Sequence, residues 1–390
     1  MKVAYICADP GIPVFGNKGA SIHIQEVMQA LLRLGAEITL FAQRPGGEPP
    51  AGLRQVRVVP LPALPAATQE TTRARAALAA NEMLIATLDA AGPFSLVYER
   101  YSLWSHAGMS WAARSGTPSV LEVNAPLIEE QRRYRTLPLE DEALATLETA
   151  IRHAATIIGV SEGVKNWLES FPAARGKVHV VENGVDPARF SVKKPASSAP
   201  VSIGFLGTLK PWHGLNTLID AFILLHQRQL PVTLSVIGHG PEFEPVREKL
   251  NSHGLLPVSH FSGAVAHDDV PPLLAEIDIA VAPYPQLENF YFSPLKIYEY
   301  MAAGLPVVAS RIGHLDQLVK EGENGLLVPP DDARALSEAL TLLINSPTMR
   351  SAMGLAGRRQ VERNHSWLRV VKRILSLANV TAQHKGHDEI

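Results

Sequence analysis

The sequence predicts an α/β fold made of two doubly wound domains, each with a parallel sheet between layers of helices. Three observations support this prediction. The chain has 390 residues, whereas a single hydrophobic core rarely grows beyond about 250–300 residues. Short apolar runs alternate with longer amphipathic segments, which is typical of strands joined by helical crossovers. A polar, proline-bearing stretch at residues 187–200 interrupts the alternation, which then restarts.

The first half of the chain starts this alternation at its third residue. Short apolar runs with few polar positions indicate strands that are buried on both faces of a parallel sheet. The segments between them carry apolar residues three and four positions apart, as amphipathic helices do. We predict strands at 3–7, 38–42, 56–59, 96–99, 119–123, 156–160 and 178–181, and helices at 21–34, 72–88, 106–113, 139–153 and 162–168.

The second half repeats the pattern, so both halves are predicted to be Rossmann-like. We place the domains at 1–190 and 201–365, with a linker at 191–200 whose residues are small, polar or proline. Residues 366–390 are expected to form a helix that crosses back toward the first domain, followed by a tail. Predicted strands are 202–206, 233–237, 260–261, 277–282, 307–309 and 325–328, and predicted helices are 215–226, 243–250, 270–275, 295–303, 333–344, 349–364 and 367–377.

Composition excludes several classes of function. Lys plus Arg number 36 and Asp plus Glu number 38, so a net charge of −2 provides no overall field for nucleic acid. The one cysteine, Cys7, has no internal partner for a disulfide, as is usual in a reducing compartment. No apolar run approaches the roughly 20 residues of a membrane span. We therefore expect a cytoplasmic protein with at most a peripheral contact with the membrane.

Ligand-binding residues are expected in the loops that follow the strands, in a cleft where the two domains face one another. The first such loop, at 9–20, holds Gly11, Gly16 and Gly19 just before a helix, so backbone amides can approach an anion there. Its glycines do not follow the dinucleotide spacing G-x-G-x-x-G, and no acidic residue ends the second strand. A plain helix-starting turn remains the alternative.

The loop that opens the second domain carries basic residues. Gly207 directly follows the first predicted strand of that domain, and Lys210 and His213 lie just before the next helix. A lysine in such a place can hold a phosphate as a point charge. The alternatives are a solvated lysine and a structural histidine.

The most informative segment is 293–304, which starts a helix after the predicted strand 277–282. Amides at 292–295 can bind a diphosphate at the helix N-terminus. Glu299 lies one turn further on, flanked by apolar Ile297 and Met301. A carboxylate in such surroundings needs hydrogen-bond donors, which the hydroxyls of a nucleotide ribose would supply. A buried ion pair with a lysine is the alternative.

These segments, taken in order, resemble the retaining glycosyltransferases of family four (glycosyl transferases group 1), which have the GT-B architecture. The resemblance covers nearly the whole chain. It rests on Pro294-Leu295-Lys296, Glu299-Tyr300-Met301-Ala302-Ala303-Gly304, Glu182-Asn183-Gly184-Val185-Asp186, Val236-Ile237-Gly238-His239-Gly240 and Glu321-Gly322-Glu323-Asn324-Gly325.

The resemblance assigns a donor site to the second domain. Glu299 matches the glutamate that holds the donor ribose in this family. The remaining donor-binding residues that it implies are Gly19, Gly207, His213, Gly238, Phe292, Ser293, Pro294, Leu295 and Lys296.

Four positions depart from the family pattern. Tyr291 stands where a glutamate usually touches the donor sugar, and Asn124 stands where a histidine is common in the sugar pocket. Thr208 and His213 stand at the usual arginine and lysine positions, so Lys210 is expected to replace one of these two cations. Two roles stay open for Tyr291. Either it lies outside the pocket and the backbone of 291–293 holds the sugar, or its ring shapes the pocket for a different sugar, which we favour.

The implied reaction moves a hexose-type sugar from a nucleotide-sugar donor to a hydroxyl acceptor (glycan, lipid-linked or small molecule) with retention of configuration. Lys210, Asn124 and Tyr291 are the candidate catalytic residues. The donor is expected to be a UDP- or GDP-sugar, without a cofactor or a metal, because the histidines are spread over separate elements. The alternatives are a nicotinamide oxidoreductase, a sugar-nucleotide epimerase of the same architecture, and a catalytically silent nucleotide-sugar-binding protein.

A small basic patch is a candidate contact surface for the acceptor. Arg132, Arg133 and Arg135 lie close together in the first domain. They are either a solvated face or a contact with an anionic membrane or a lipid-diphosphate acceptor.

Overall fold

The computed structural model describes residues 1–66, 68–192, 200–288, 290–291 and 293–381. The chain divides into two compact units. Unit 1 contains Met1–Asn183, Tyr291–Ser293 and Trp367–Ile390, and unit 2 contains Gly184–Phe290 and Pro294–Ser366.

Seven parallel strands form the sheet of unit 1 in the part of the chain that the structure describes: β1 (Lys2–Cys7), β2 (Glu37–Ala42), β3 (Arg57–Pro60), β4 (Leu96–Arg100), β5 (Ser119–Val123), β6 (Thr156–Gly159) and β7 (Val178–Val180). Their order is β3-β2-β1-β4-β5-β6-β7. The central strands are buried on both faces, as their apolar sequences predict. The order reverses direction between β1 and β4, which is where ligands bind in doubly wound sheets.

Helices cover both faces of this sheet. They are α1 (Gly19–Arg33), α2 (Glu70–Ala91), α3 (Ala107–Ser115), α4 (Leu127–Tyr134), α5 (Glu140–His153) and α6 (Glu162–Glu169). The hydroxyl of Ser161 accepts a hydrogen bond from the Val164 amide and so caps α6, which satisfies one of the free amides at a helix start.

Unit 2 has the same plan. Its described strands are β8 (Val201–Leu206), β9 (Val232–Ile237), β10 (Ser259–Gly263), β11 (Ile279–Ala282), β12 (Val307–Ser310) and β13 (Gly325–Val328). They are parallel in the order β10-β9-β8-β11-β12-β13, so the direction of winding reverses between β8 and β11.

The helices of unit 2 alternate with these strands. Asp332 caps α12, and Ser346 caps α13 ahead of a proline in its first turn, the residue types that helix starts prefer. The helices are α7 (Leu215–Gln227), α8 (Phe243–Ser252), α9 (Val270–Ala275), α10 (Leu295–Ala302), α11 (Leu315–Leu318), α12 (Ala333–Ile344) and α13 (Pro347–Asn364).

The last described helix, α14 (Trp367–Leu377), belongs to unit 1 and packs against α1. The ring of Trp367 meets the ring of His23 edge-on at 4.9 Å between centroids. No helix among the described residues is both long and apolar enough to cross a bilayer.

The predicted α/β class is confirmed, and each predicted strand overlaps an observed one. Two helices were not predicted. The α4 sequence is dominated by charged residues, so it lacks the apolar stripe by which helices are recognised. The α11 helix has only four residues, too few for a periodic pattern. Of the predicted linker, residues 193–199 lie outside the described part of the chain.

Candidate functional site

Two loops at the carboxyl ends of β8 and β11 hold most of the predicted donor-binding residues of unit 2. Because β8 and β11 are neighbours at the reversal of the sheet, their loops start side by side. The first loop begins at Gly207, and the second leads to α10.

Glycines let the loops after β8 and β9 pack backbone against backbone. Gly207 and Gly238 have φ angles of +143° and +136°, which side chains rarely adopt. A Cβ on Gly238 would lie 2.0 Å from the Gly207 carbonyl oxygen, and one on Gly240 would lie 2.5 Å from the Leu209 carbonyl oxygen. The amide of Gly207 donates to the Ile237 carbonyl at 2.9 Å. The predicted residues Gly207 and Gly238 are therefore in direct contact.

Lys296 has the most unusual side chain of the site. It is 8% exposed, and among the described residues its Nζ has no hydrogen-bond partner. The Nζ lies 4.2 Å from the ring centroid of Phe205 and 5.3 Å from that of Tyr284. Burial lowers the pKa of Lys296 to about 7, although the Glu299 carboxylate acts in the opposite direction. The ammonium is thus held at the end of β8 by aromatic faces, and no described residue places an anion at hydrogen-bonding distance from it.

His213 does not supply a positive charge. Its Nδ1 is in close contact with the Thr208 carbonyl oxygen, which can only accept, so the ring proton is on Nδ1. Burial, and then the nearby Lys296 ammonium, lower the pKa of His213 to about 3. The ring also meets the ring of Tyr284 at 5.9 Å. His213 therefore remains neutral at physiological pH.

Lys210 is only partly buried, and its Nζ lies 5.7 Å from the Trp212 ring centroid. It can reach solvent, in contrast to Lys296. The two lysines therefore differ in their access to solvent, although both are near the loop that starts at Gly207.

Of the four positions 292–295 whose amides the sequence suggested, residue 294 supplies none, because proline has no N–H. Pro294 is the N-cap of the helix, and the amides of Leu295 and Lys296 in the first turn donate to no acceptor among the residues that the structure describes. The Ile297 amide already donates to the Pro294 carbonyl at 3.1 Å. Phe292 lies outside the described residues.

Glu299 lies further along α10 with a side chain that is 13% exposed. Its Oε1 is 3.7 Å from Nδ1 of His267. The other ring nitrogen of His267, Nε2, is in close contact with Nη1 of Arg189. Sequence patterns did not single out Arg189, and they placed His267 only among the histidines that are spread over separate elements and form no metal cluster.

In unit 1, the loop after β1 is tied down by polar contacts. The Gln25 side chain donates to the carbonyls of Val14 at 2.7 Å and Gly16 at 2.9 Å, and Ser21 donates to the Pro13 carbonyl at 2.5 Å. Gly19 is the first residue of α1, and no side chain caps this helix start. The predicted anion-binding position at Gly19 is thus a fixed, uncapped helix N-terminus.

Asn124 follows β5, and its buried Oδ1 has no hydrogen-bond partner among the described residues. Two residues earlier, on β5, the buried Glu122 forms a network of polar contacts. Its carboxylate contacts His23 Nε2 at 2.9 Å, Arg100 Nη1 at 3.2 Å and the Tyr98 hydroxyl. Burial alone would raise the pKa of Glu122, but contacts with His23 above all, then Arg100 and Tyr98, lower it to about 2. The end of β5 is therefore held by the contacts of Glu122 and is followed by the Asn124 acceptor, which no described residue satisfies.

Tyr291 and Ser293 belong to unit 1. The Tyr291 hydroxyl donates to Glu130 of α4, its ring packs against the core of the unit, and its carbonyl accepts a hydrogen bond from Ser161 at 2.7 Å. The Asn183 side chain donates to the Ser293 carbonyl at 2.6 Å. Burial raises the pKa of Glu130, against the effect of the Tyr291 hydrogen bond. The Tyr291 phenol is thus engaged with a protein carboxylate, which the sequence did not suggest.

The basic patch is partly neutralised. Arg132 binds Glu140 through Nε at 3.0 Å and lies 3.7 Å from Glu129. Among the described residues, no group of three or more His, Cys, Asp or Glu side chains is arranged to hold a metal ion.

Comparison with known proteins identifies the family. Residues 17–189 match the family model described as Glycosyltransferase Family 4, and residues 200–346 match the model described as Glycosyl transferases group 1. The glycogen synthase of Mycobacterium tuberculosis is 25% identical over 268 residues, which cover 68% of this chain and 64% of that protein. The MMP alpha-(1->4)-mannosyltransferase of Mycolicibacterium hassiacum is 24% identical over 396 residues, with coverage of 92% and 94%.

A solved structure shows the same fold over nearly the full length. The HepE protein of Anabaena, determined with UDP and glucose, superposes with a TM-score of 0.70 at 20% identity and covers 97% of this chain and 99% of its own. Together, the two family models and the two doubly wound sheets show that the chain is a glycosyltransferase enzyme that belongs to family four (group 1), with the GT-B fold.

Proposed function

We propose that the enzyme transfers a hexose-type sugar from a nucleoside-diphosphate sugar to a hydroxyl acceptor with retention of anomeric configuration. The observation that carries the proposal is the Lys296 ammonium, which is buried beside Gly207 at the end of β8 and has no hydrogen-bond partner in the part of the chain that the structure describes. The HepE structure with UDP and glucose supports a nucleotide-sugar donor. UDP- and GDP-sugars are the first candidates.

A buried lysine without an anion is costly, because removing an ammonium from water disfavours its charged form. Two aromatic faces offset only part of this cost, since a cation–π contact contributes about 0.5–2 kcal/mol. A diphosphate would supply the missing negative charge. The amides of Leu295 and Lys296 at the start of α10 would add hydrogen-bond donors and the positive end of the helix dipole.

Transfer of a sugar from such a donor requires the protein to position the reactants and to stabilise charge, more than to form a covalent bond with the sugar. As the bond between the sugar and the diphosphate breaks, negative charge grows on the leaving group, and Lys296 would stabilise it. Lys210, which is closer to solvent, would add to this stabilisation. The acceptor hydroxyl would attack from the face that the leaving group occupies, which gives retention. Asn124 would accept a hydrogen bond from the sugar through Oδ1, which has no partner among the residues described by the structure.

Glu299 would bind the hydroxyls of the donor ribose. Its carboxylate is partly buried on α10, one turn beyond the amides that would hold the diphosphate. Charge-assisted hydrogen bonds of this kind contribute about 1.5–3 kcal/mol each. Because lysine and amides supply the positive charge, we propose that a divalent metal is dispensable.

A thermal-shift screen of UDP-, GDP- and ADP-sugars tests the proposal, since a bound ligand stabilises by mass action. We expect one nucleotide class to raise the Tm, and the same donor to be consumed when an acceptor is added. NMR of the product should show the donor's anomeric configuration. A product of inverted configuration would contradict retention, and release of free nucleotide without any acceptor would favour an epimerase. Binding without any turnover would favour a silent binding protein.

A further inference from the structure

We propose that His267, held by Arg189, is a positioning residue that aims the Glu299 carboxylate at the donor ribose. The proposal rests on the proposed function, because it takes the ribose as the ligand of Glu299. All three residues belong to unit 2. They come from different segments: Arg189 ends the short 3-10 helix Pro187–Arg189, His267 begins the 3-10 helix His267–Asp269, and Glu299 lies on α10.

Arg189 fixes which nitrogen of His267 carries the proton. A guanidinium group can only donate hydrogen bonds, so Nε2 of His267, which is in close contact with Nη1 of Arg189, must accept. In the neutral ring the proton is then on Nδ1, and Nδ1 is the atom that faces Oε1 of Glu299 at 3.7 Å. The orientation of the ring thus directs an N–H dipole at the carboxylate.

Arg189 also fixes where the ring lies. Its Nη2 donates to the His267 backbone carbonyl at 2.9 Å and to Oδ1 of Asp268 at 3.0 Å. The guanidinium therefore contacts both the ring and the backbone of the same residue. Because both ends of His267 are held, the position of Nδ1 is determined by Arg189 rather than by solvent.

The contact matters because Glu299 has little water around it. The side chains of His267 and Glu299 are 19% and 13% exposed. A carboxylate so placed can rotate among several orientations unless a donor favours one of them. The separation of 3.7 Å is too long for a direct hydrogen bond, so the ring acts through the attraction between its N–H dipole and the carboxylate charge and does not itself occupy a carboxylate oxygen with a hydrogen bond.

The test uses four variants of the full chain: His267→Leu, His267→Asn, Glu299→Gln and the double variant His267→Leu/Glu299→Gln. His260→Leu is the matched control, since His260 is an exposed histidine of the same unit. The affinities of UDP, GDP and ADP, and of their 2′,3′-dideoxy analogues, are measured by calorimetry. The nucleotide that the wild type binds most tightly serves for the comparison.

For the ribonucleotide, we expect His267→Leu to lose about tenfold in affinity, by analogy with the loss that follows when a partner that orients a metal ligand is removed. His267→Asn should recover part of the loss, because its amide N–H can take the place of Nδ1. For the dideoxy analogue, wild type and His267→Leu should bind alike. The double variant should bind no more weakly than Glu299→Gln, because coupled residues are not additive. His260→Leu should match the wild type.

The failure of this inference differs from the failure of the proposed function. If Glu299→Gln loses ribonucleotide affinity and His267→Leu does not, the positioning role is wrong and the ribose role of Glu299 stands. An equal loss for ribo- and dideoxynucleotides in His267→Leu would also overturn the positioning role. If Glu299→Gln leaves every affinity unchanged, the ribose assignment itself is wrong, and the inference fails with it.

Discussion

The Nζ atom of Lys296 lies 2.9 Å from the position that a Cβ atom on Gly207 would take. The two residues come from different elements, since Gly207 follows β8 and Lys296 is in the first turn of α10. A side chain at residue 207 would therefore compete with the ammonium for the same space. The absence of a side chain at Gly207 is what allows the lysine to reach the end of β8.

Gly207→Ala should lower the affinity for nucleoside diphosphates as well as stability. The φ angle of +143° is strained for alanine, which costs on the order of 1–3 kcal/mol, and the new methyl group would displace the ammonium. Gly254→Ala is the control, because Gly254 also has a positive φ but open space around its Cβ position. Calorimetry with UDP and GDP checks the affinities. Equal affinities in both variants would show that the ammonium does not depend on Gly207.

Binding of the diphosphate should weaken as the pH rises from 6 to 8. Burial lowers the pKa of Lys296 to about 7 in the free enzyme, and a bound dianion would raise it again, so binding takes up a proton above pH 7. The affinity should then fall by about tenfold between pH 6 and pH 8. The Glu299 carboxylate and the neutral His213 ring are near this lysine as well. Calorimetry in buffers of different ionisation enthalpy measures proton uptake directly, and no uptake at pH 8 would contradict a neutral Lys296.

Tyr291→Phe removes the hydroxyl that donates to Glu130 but keeps the ring in the core of unit 1. A hydrogen bond to a charged group contributes about 1.5–3 kcal/mol, so the variant should be less stable by about that amount. Glu130→Gln, which keeps an acceptor, should be less affected. Chemical denaturation measures both free energies of unfolding.

A further variant, Tyr291→Ala, separates the two roles that the sequence left open for Tyr291. If its ring shapes the sugar pocket, Tyr291→Ala changes the order in which donor sugars are preferred, while the affinity for the nucleoside diphosphate stays near that of the wild type. An unchanged order of preference in a donor panel would remove Tyr291 from the specificity of the enzyme.

Activity should survive treatment with EDTA. The positive charge at the proposed diphosphate site comes from Lys296 and from the amides of α10, which a chelator does not remove. Turnover before and after dialysis against EDTA provides the measurement. A complete loss that magnesium or manganese restores would contradict metal independence.

The sequence was sufficient to predict the strands of both sheets, because buried parallel strands are recognisable as short apolar runs. It also singled out Gly207, Lys296 and Glu299. It did not show that Lys296 is the buried cation and that His213 is neutral, since burial and charge at these positions depend on how α10 packs beside β8.

Contacts between residues that are far apart in the sequence could not be predicted either. Glu130 and Tyr291 are 161 residues apart, and Asn183 and Ser293 are 110 residues apart. No local periodicity brings such residues together. They become visible only when the segment Tyr291–Ser293 is found in unit 1.

The most direct test of the account compares nucleoside diphosphates with monophosphates in the wild type, Lys296→Met and Lys296→Arg. Lys249→Met, which removes a lysine paired with Asp220 in the same unit, is the control. If Lys296 holds the diphosphate, Lys296→Met should lose about 10- to 150-fold in diphosphate affinity, as expected for a charge-assisted hydrogen bond, and should keep its monophosphate affinity. Lys296→Arg should bind more tightly than Lys296→Met. An unchanged preference for diphosphate over monophosphate in Lys296→Met would contradict the central claim.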